Sequence, residues 1–180
     1  MDVLGFAGPM RSALYQCGQV ARALKGMVAT EHKAPDSAHQ QSTTVSVVDR
    51  LCQEIVLLRA HDVSPGIEVY SEELASCPRE LLELFARNRS RYLLVLDPLD
   101  GTDDFLQGKD TYGHMLGLLD QDSGYMACGL IYFPERGRLY VGLRGMGAFM
   151  VEGLWGTPVR LQPGHPGRTV GQVKRLEPRD

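Results

Sequence analysis

With 180 residues, 43% of them hydrophobic and 23% charged, the chain has the size and apolar content of one globular domain that can bury a sizeable core, which excludes a disordered tract. The formal charge is -3, and the one dense basic stretch, Arg87 to Arg91, lacks interleaved aromatics, which argues against a nucleic-acid partner. Cys17, Cys52, Cys77 and Cys128 form no Cys-x-x-Cys pair, so neither a zinc site nor a disulfide framework is expected.

Reduced thiols, no run long enough to span a membrane and no basic-then-apolar leader together predict a cytoplasmic protein without membrane partners. Along the chain, Ala13, Leu14, Cys17, Val20, Ala21, Leu24 and Val28 recur at helical spacing and predict an amphipathic helix with Ser12 as its N-cap. The polar stretch Thr30 to Thr44 predicts a mobile loop. Val45 to Val48 either finishes a short strand or starts a helix. From Asp49 onward, Leu51, Cys52, Ile55, Val56 and Leu58 predict a second helix that ends before Ser64-Pro65-Gly66. A short buried strand follows at Ile67 to Tyr70, then a helix over Pro78 to Arg87 and a continuous apolar strand from Tyr92 to Leu96.

Beyond that strand, Tyr112 to Leu119, Gly124 to Phe133, Leu139 to Leu143 and Ala148 to Val151 read as strands separated by turn residues, the pattern of an antiparallel meander. The expected fold is α+β, with helices packed on a mostly antiparallel sheet. Residues 1–162 are assigned to this domain. From Pro158 the chain becomes polar and rich in Pro and Gly, and residues 163–180 are expected to be a frayed tail.

The chemistry concentrates at Asp97-Pro98-Leu99-Asp100-Gly101-Thr102. An apolar strand runs into two carboxylates three apart, and Pro98 stiffens the corner so that both acids and the Leu99 carbonyl can face one side. Mg²⁺ binds such open oxygen sites and completes its shell with water and phosphate oxygens. Gly101 lets a phosphate approach the backbone, and N–H groups from Gly101 onward can donate to it. The same residues also suit a plain turn in which Asp97 and Asp100 cap a helix and Asp103 and Asp104 complement its dipole. Likewise, Glu72-Glu73 can be a solvated strand end, and Asp49 a first-turn helix acid. Haloacid-dehalogenase-type phosphatases are excluded, because their Asp-x-Asp-Gly-Thr spacing leaves no room for both Pro98 and Leu99.

The run Asp97 to Thr102, followed by Phe105, resembles the signature of the inositol monophosphatase family, Mg²⁺-dependent, lithium-sensitive phosphomonoesterases related to fructose-1,6-bisphosphatases. Val45-Ser46-Val47-Val48-Asp49 resembles its Val-Thr-x-x-Asp segment, Glu72-Glu73 its Glu-Glu pair, and Gly145-Met146-Gly147-Ala148-Phe149 the turn that closes the first domain's sheet. The resemblance implies that Glu72, Asp97 and the Leu99 carbonyl hold a first metal, that Asp97 and Asp100 hold a second, and that Glu72 reaches a third through water. It implies phosphate binding by the N–H groups of Gly101 and Thr102, and activation of the attacking water by Thr102 with Asp49. His114 is expected to be a strand residue near the site rather than a nucleophile. Lys33 lies too far from Asp49 to match the lysine that often precedes the Val-Thr-x-x-Asp segment. The second α/β domain of family members, with its Trp-Asp motif, has no counterpart after Arg160. The expected activity is therefore Mg²⁺-dependent hydrolysis of a small phosphomonoester, an inositol, sugar or nucleotide phosphate, by a homo-oligomer, expected to be a dimer. The alternative is a truncated, non-catalytic remnant that binds metal or phosphate or serves in assembly.

Overall fold

The computed structural model of the protein describes residues 2–29, 31–32, 44–85 and 90–161. Helix α1 (Val3–Leu24) starts well before the expected Ala13, and Asp2 rather than Ser12 is its N-cap. Asp2 Oδ1 accepts from the Leu4 N–H at 3.1 Å and Oδ2 from the Gly5 N–H at 3.0 Å. Gly5, Gly8 and Pro9 read as helix breakers in the sequence, at about 1 kcal/mol for each glycine and about 3 for an interior proline. Phe6 and Met10 are nevertheless fully buried, and at about 1.5–3 kcal/mol each their burial offsets most of that cost. The Asp2 cap adds about 1 kcal/mol.

After α1, strands β1 (Glu31–His32) and β2 (Thr44–Val45) pair antiparallel, so the ends of the expected loop form a small ribbon. Lys33 lies outside the described residues. Helix α2 (Val47–Val63) begins at Ser46, which forms a capping box with Asp49. Its buried stripe of Val48, Cys52, Val56, Leu57 and Ala60 packs against α1. Small side chains let the two helices approach closely: Cys17 Sγ lies 3.5 Å from the Cys52 carbonyl oxygen and Cys52 Sγ lies 3.8 Å from that of Cys17. Among the described residues, no helix is long and apolar enough to cross a membrane.

Seven strands make the main sheet, with spatial neighbours in chain order: β3 (Glu68–Ser71), β4 (Tyr92–Asp100), β5 (Gly113–Asp120), β6 (Tyr125–Phe133), β7 (Arg138–Leu143), β8 (Gly147–Glu152) and β9 (Val159–Arg160). Only the β3–β4 pairing is parallel in this sheet. The expected α+β architecture is therefore present. Two of its details differ from expectation. The helix α3 covers Arg79–Leu82 rather than Pro78 to Arg87, and Val159–Arg160 adds a strand to the edge of β8 where the sequence turns Pro/Gly-rich. The proposed tail, residues 163–180, lies outside the described residues.

Helices α1 and α2 cover one face of the sheet, where Leu94, Leu96, Leu118, Leu130 and Tyr132 are buried. On the other face Gly117 pairs with Gly129 and Gly129 with Gly142, so a row of the ladder lacks side chains there. This bare row forms part of a hollow of about 410 Å³ that Met115, Ile131 and Phe149 also line, and that Asp97 borders.

Candidate active site

Strand β4 does not stop at Leu96 but continues through the acidic turn to Asp100. Its partners on β5 are Met115 for Asp97 and Gly113 for Asp100, so Pro98 and Leu99 together oppose the single residue His114. That is a β-bulge, and Pro98, with no N–H to give a ladder, is well placed in it. Gly101 then takes φ +82°, and a Cβ there would stand 2.8 Å from the Thr111 carbonyl oxygen, so only glycine fits without strain. The short helix α4 (Thr102–Leu106) follows. Phe105 anchors it, fully buried and edge-on to Tyr112 with ring centroids 5.2 Å apart.

Asp49 serves two elements at once. Its Oδ2 accepts from the Ser46 N–H at 2.8 Å and from Ser46 Oγ at 2.6 Å, completing the α2 cap. Its Oδ1 accepts from Thr102 Oγ1 at 2.9 Å, across to α4. The same Thr102 hydroxyl lies 3.0 Å from the Leu99 carbonyl oxygen. Two acceptors therefore compete for one hydroxyl proton. Burial raises the Asp49 pKa, although the hydrogen bonds from Ser46 and Thr102 work the other way.

The parallel pairing of β3 and β4 explains how Glu72 reaches the same place. Ser71 pairs with Leu96, and the Glu72 N–H donates to the Leu96 carbonyl at 3.1 Å, so the next residue on each strand, Glu72 and Asp97, emerges at one end of the sheet. The end of β3 is further held by Gln53 on α2. This fully buried side chain accepts from Ser71 Oγ and donates to the Glu73 carbonyl at 2.9 Å. Glu73 is itself buried, whereas Glu72 is the exposed member of the pair.

Electrostatically the site is short of positive charge. Burial first, then repulsion from Glu72 and Asp100, pushes the Asp97 carboxyl up to about 7. Burial and Glu72 also raise Asp100. Asp97 Oδ1 is buried without a hydrogen-bond partner among the described residues. Asp97, near enough to Glu72 and Asp100 to be repelled by them and with the Leu99 carbonyl in the same bulge, belongs to an oxygen donor set suited to a hard divalent cation, although a backbone hydrogen bond from Leu99 to its carboxylate works against the rise. Among the described residues, no three His, Cys, Asp or Glu side chains by themselves enclose an ion. Mg²⁺ sites in general use one or two carboxylates and fill the shell with main-chain, water and phosphate oxygens.

The structure thus brings Asp49, Glu72, Asp97, Leu99, Asp100, Gly101 and Thr102 to one end of the sheet. Both local readings of Asp49, helix acid and partner of Thr102, describe the same side chain. Sequence reasoning missed Gln53, whose signal is a lone amide inside the buried stripe of α2.

Residues 9–175 match the sequence profile of the inositol monophosphatase family. The chain belongs to the inositol monophosphatase family. It is 33% identical over 122 residues to the histidinol-phosphatase of Chlorobaculum parvum, an alignment covering 68% of this chain and 41% of that protein. Among solved structures of the family fold, the Thermotoga maritima IMPase superposes with a TM-score of 0.66 at 21% identity, over 91% of this chain and 55% of that one. An IMPase/NADP phosphatase in complex with NADP and Ca²⁺ superposes with a TM-score of 0.65 at 23% identity, over 83% and 52%. The chain spans less than half the length of these curated relatives and about half the length of the solved structures.

Proposed function

We propose that this site hydrolyses a small phosphomonoester, an inositol, sugar or nucleotide phosphate, by direct attack of water with the help of Mg²⁺. In this reading Glu72, Asp97 and the Leu99 carbonyl would hold one ion, Asp97 and Asp100 would hold a second, and Glu72 would reach a third through water. Bound Mg²⁺ supplies a lowered pKa for coordinated water and neutralises charge on the phosphoryl group.

The observation that carries the proposal is the Thr102–Asp49 hydrogen bond at 2.9 Å beside the orphaned Asp97 oxygen. Thr102 Oγ1 takes a proton from the attacking water as it passes its own to Asp49 Oδ1. Burial makes Asp49 a better proton acceptor than a surface carboxylate. The N–H groups of Gly101 and Thr102, ahead of the first α4 hydrogen bond from Phe105 to Gly101 at 2.9 Å, orient the phosphate. No covalent intermediate is needed.

Phosphate release from inositol, sugar, histidinol and nucleotide monoesters, measured across a Mg²⁺ titration, tests this. Wild type should release phosphate in a Mg²⁺-dependent way, and Asp97→Asn and Thr102→Ala should not approach it. If wild type releases no more than the variants at any Mg²⁺ level, hydrolysis is refuted; calorimetric Mg²⁺ binding lost only in Asp97→Asn would then assign the site to binding alone. The lithium inhibition and homodimer implied by the family resemblance are checked by LiCl titration and light scattering.

A further inference from the structure

We propose that His114 is the positioning residue for the metal-binding bulge: its Nδ1–H holds the Pro98 carbonyl inward and so keeps the Leu99 carbonyl turned toward Thr102. The inference rests on the function proposed above for its meaning, but on geometry for its substance. Pro98 and Leu99 are the two bulge residues, and His114 is the single residue opposite them. A bulge leaves part of the ladder unpaired, and Pro98 is buried within it, so its carbonyl needs a donor from outside the ladder.

His114 Nδ1 stands 2.6 Å from that carbonyl oxygen. A carbonyl only accepts, so Nδ1 carries the proton of this bond. The Pro98 carbonyl shares one rigid peptide plane with the Leu99 N–H, so tying it fixes how the chain enters Leu99. With the Pro98 carbonyl tied to the interior, that of Leu99 faces the Thr102 hydroxyl, 3.0 Å away.

Other features indicate that the ring is there for this contact and not as filler. His114 is fully buried, and its Nε2 lacks a well-placed hydrogen-bond partner among the described residues, with the Cys52 thiol a weak hydrogen-bonding neighbour of the ring. An apolar side chain of similar size would fill the space without an orphaned nitrogen. The ring plane is fixed from both sides, edge-on to Tyr112 at 6.3 Å and stacked on its cross-strand partner Tyr132 at 6.4 Å. These contacts set the direction of Nδ1 and leave it little freedom.

The test compares wild type with His114→Leu, which removes the donor, His114→Asn, which can donate from Nδ2, and Cys52→Ala, which removes the thiol beside the ring and trims the α1–α2 contact but leaves the Nδ1 bond to Pro98 in place. Amide hydrogen exchange of residues 97–102 in metal-free protein is the first readout, and calorimetric Mg²⁺ binding the second. We expect His114→Leu to exchange this segment at least tenfold faster and to weaken Mg²⁺ at least tenfold. His114→Asn and Cys52→Ala should stay within about threefold of wild type in exchange. The inference is overturned if His114→Leu exchanges like wild type, if His114→Asn fails as badly as His114→Leu, or if Cys52→Ala loosens the segment equally. Should His114→Leu not fold, exchange in His114→Asn alone decides. A wild type that binds no Mg²⁺ sinks the proposed function, while the exchange comparison still judges the hold of His114 on the turn.

Discussion

Asp97→Asn is expected to stabilise the metal-free protein at alkaline pH while it abolishes Mg²⁺ binding. Folding raises the Asp97 pKa from 3.8 to about 7, because of burial and then of Glu72 and Asp100. Between these values the folded state holds more protons than the unfolded state, so stability falls as pH rises through the window and stays low above it. At 1.36 kcal/mol per pH unit the full difference is a ceiling of about 4 kcal/mol. Asp97 is only partly enclosed, and solvent screening reduces the effect to about 1–2 kcal/mol. Asp49 and Asp100 are raised in the same direction and steepen the dependence. For a chain of this length, that gain corresponds to about 2–8 °C in Tm. Urea denaturation in EDTA at pH 5 and pH 8 measures it: the variant should exceed wild type at pH 8 and lie closer to it at pH 5. Adding Mg²⁺ at about 100 times Kd should return about 2.7 kcal/mol to wild type and nothing to the variant. A variant less stable than wild type at pH 8 without metal would refute the reasoning, because it would mean that the Asp97 charge is already compensated within the protein.

Thr102→Ala should lower kcat about 10²–10⁴-fold with little change in circular dichroism, while Thr102→Ser, which keeps the hydroxyl, should remain within about tenfold of wild type in phosphate release. Gln53→Leu should cost about 2–4 kcal/mol by urea denaturation, since it deprives Ser71 and the Glu73 carbonyl of partners inside the protein. Gly101→Ala, forced to φ +82° and against the Thr111 carbonyl, should destabilise by more than about 1 kcal/mol in the same assay and raise the Mg²⁺ needed for half-maximal activity.

Most of the sheet was legible because its strands alternate or run apolar between Gly, Pro and Asp turns, and the helix that carries Asp49 was legible from its apolar spacing. The start of α1 was not, since Gly5, Gly8 and Pro9 oppose a helix locally and only the burial of Phe6 and Met10 against the rest of the fold overrides them. The continuation of β4 through Asp97 to Asp100 was hidden for a related reason. Pro98 reads as a strand end, and only the pairing with Gly113 shows that the strand resumes after a bulge.

The site divides along the same line. Asp97 to Thr102 could be read from sequence because its geometry is local: one proline, one left-handed glycine and one short helix set the directions of the acids. Glu72 could be suspected but not placed, because its position follows from the parallel register of Ser71 with Leu96. The contacts of Gln53 with Ser71 and of His114 with Pro98 join residues 18 and 16 apart, and nothing in a local pattern names such a partner. Asp49 shows why local readings stop short. A capping acid needs one carboxylate oxygen, and the second is free for chemistry only because α4 brings Thr102 to it. The cap fixes the carboxylate that the proposed reaction uses, so weakening the cap should also misplace the proton acceptor. Ser46→Ala therefore should cost about 1 kcal/mol of stability and, in addition, lower phosphate release more than Asp2→Ala, a cap change of similar cost on α1. Equal activity in the two variants would separate the helix cap from the chemistry.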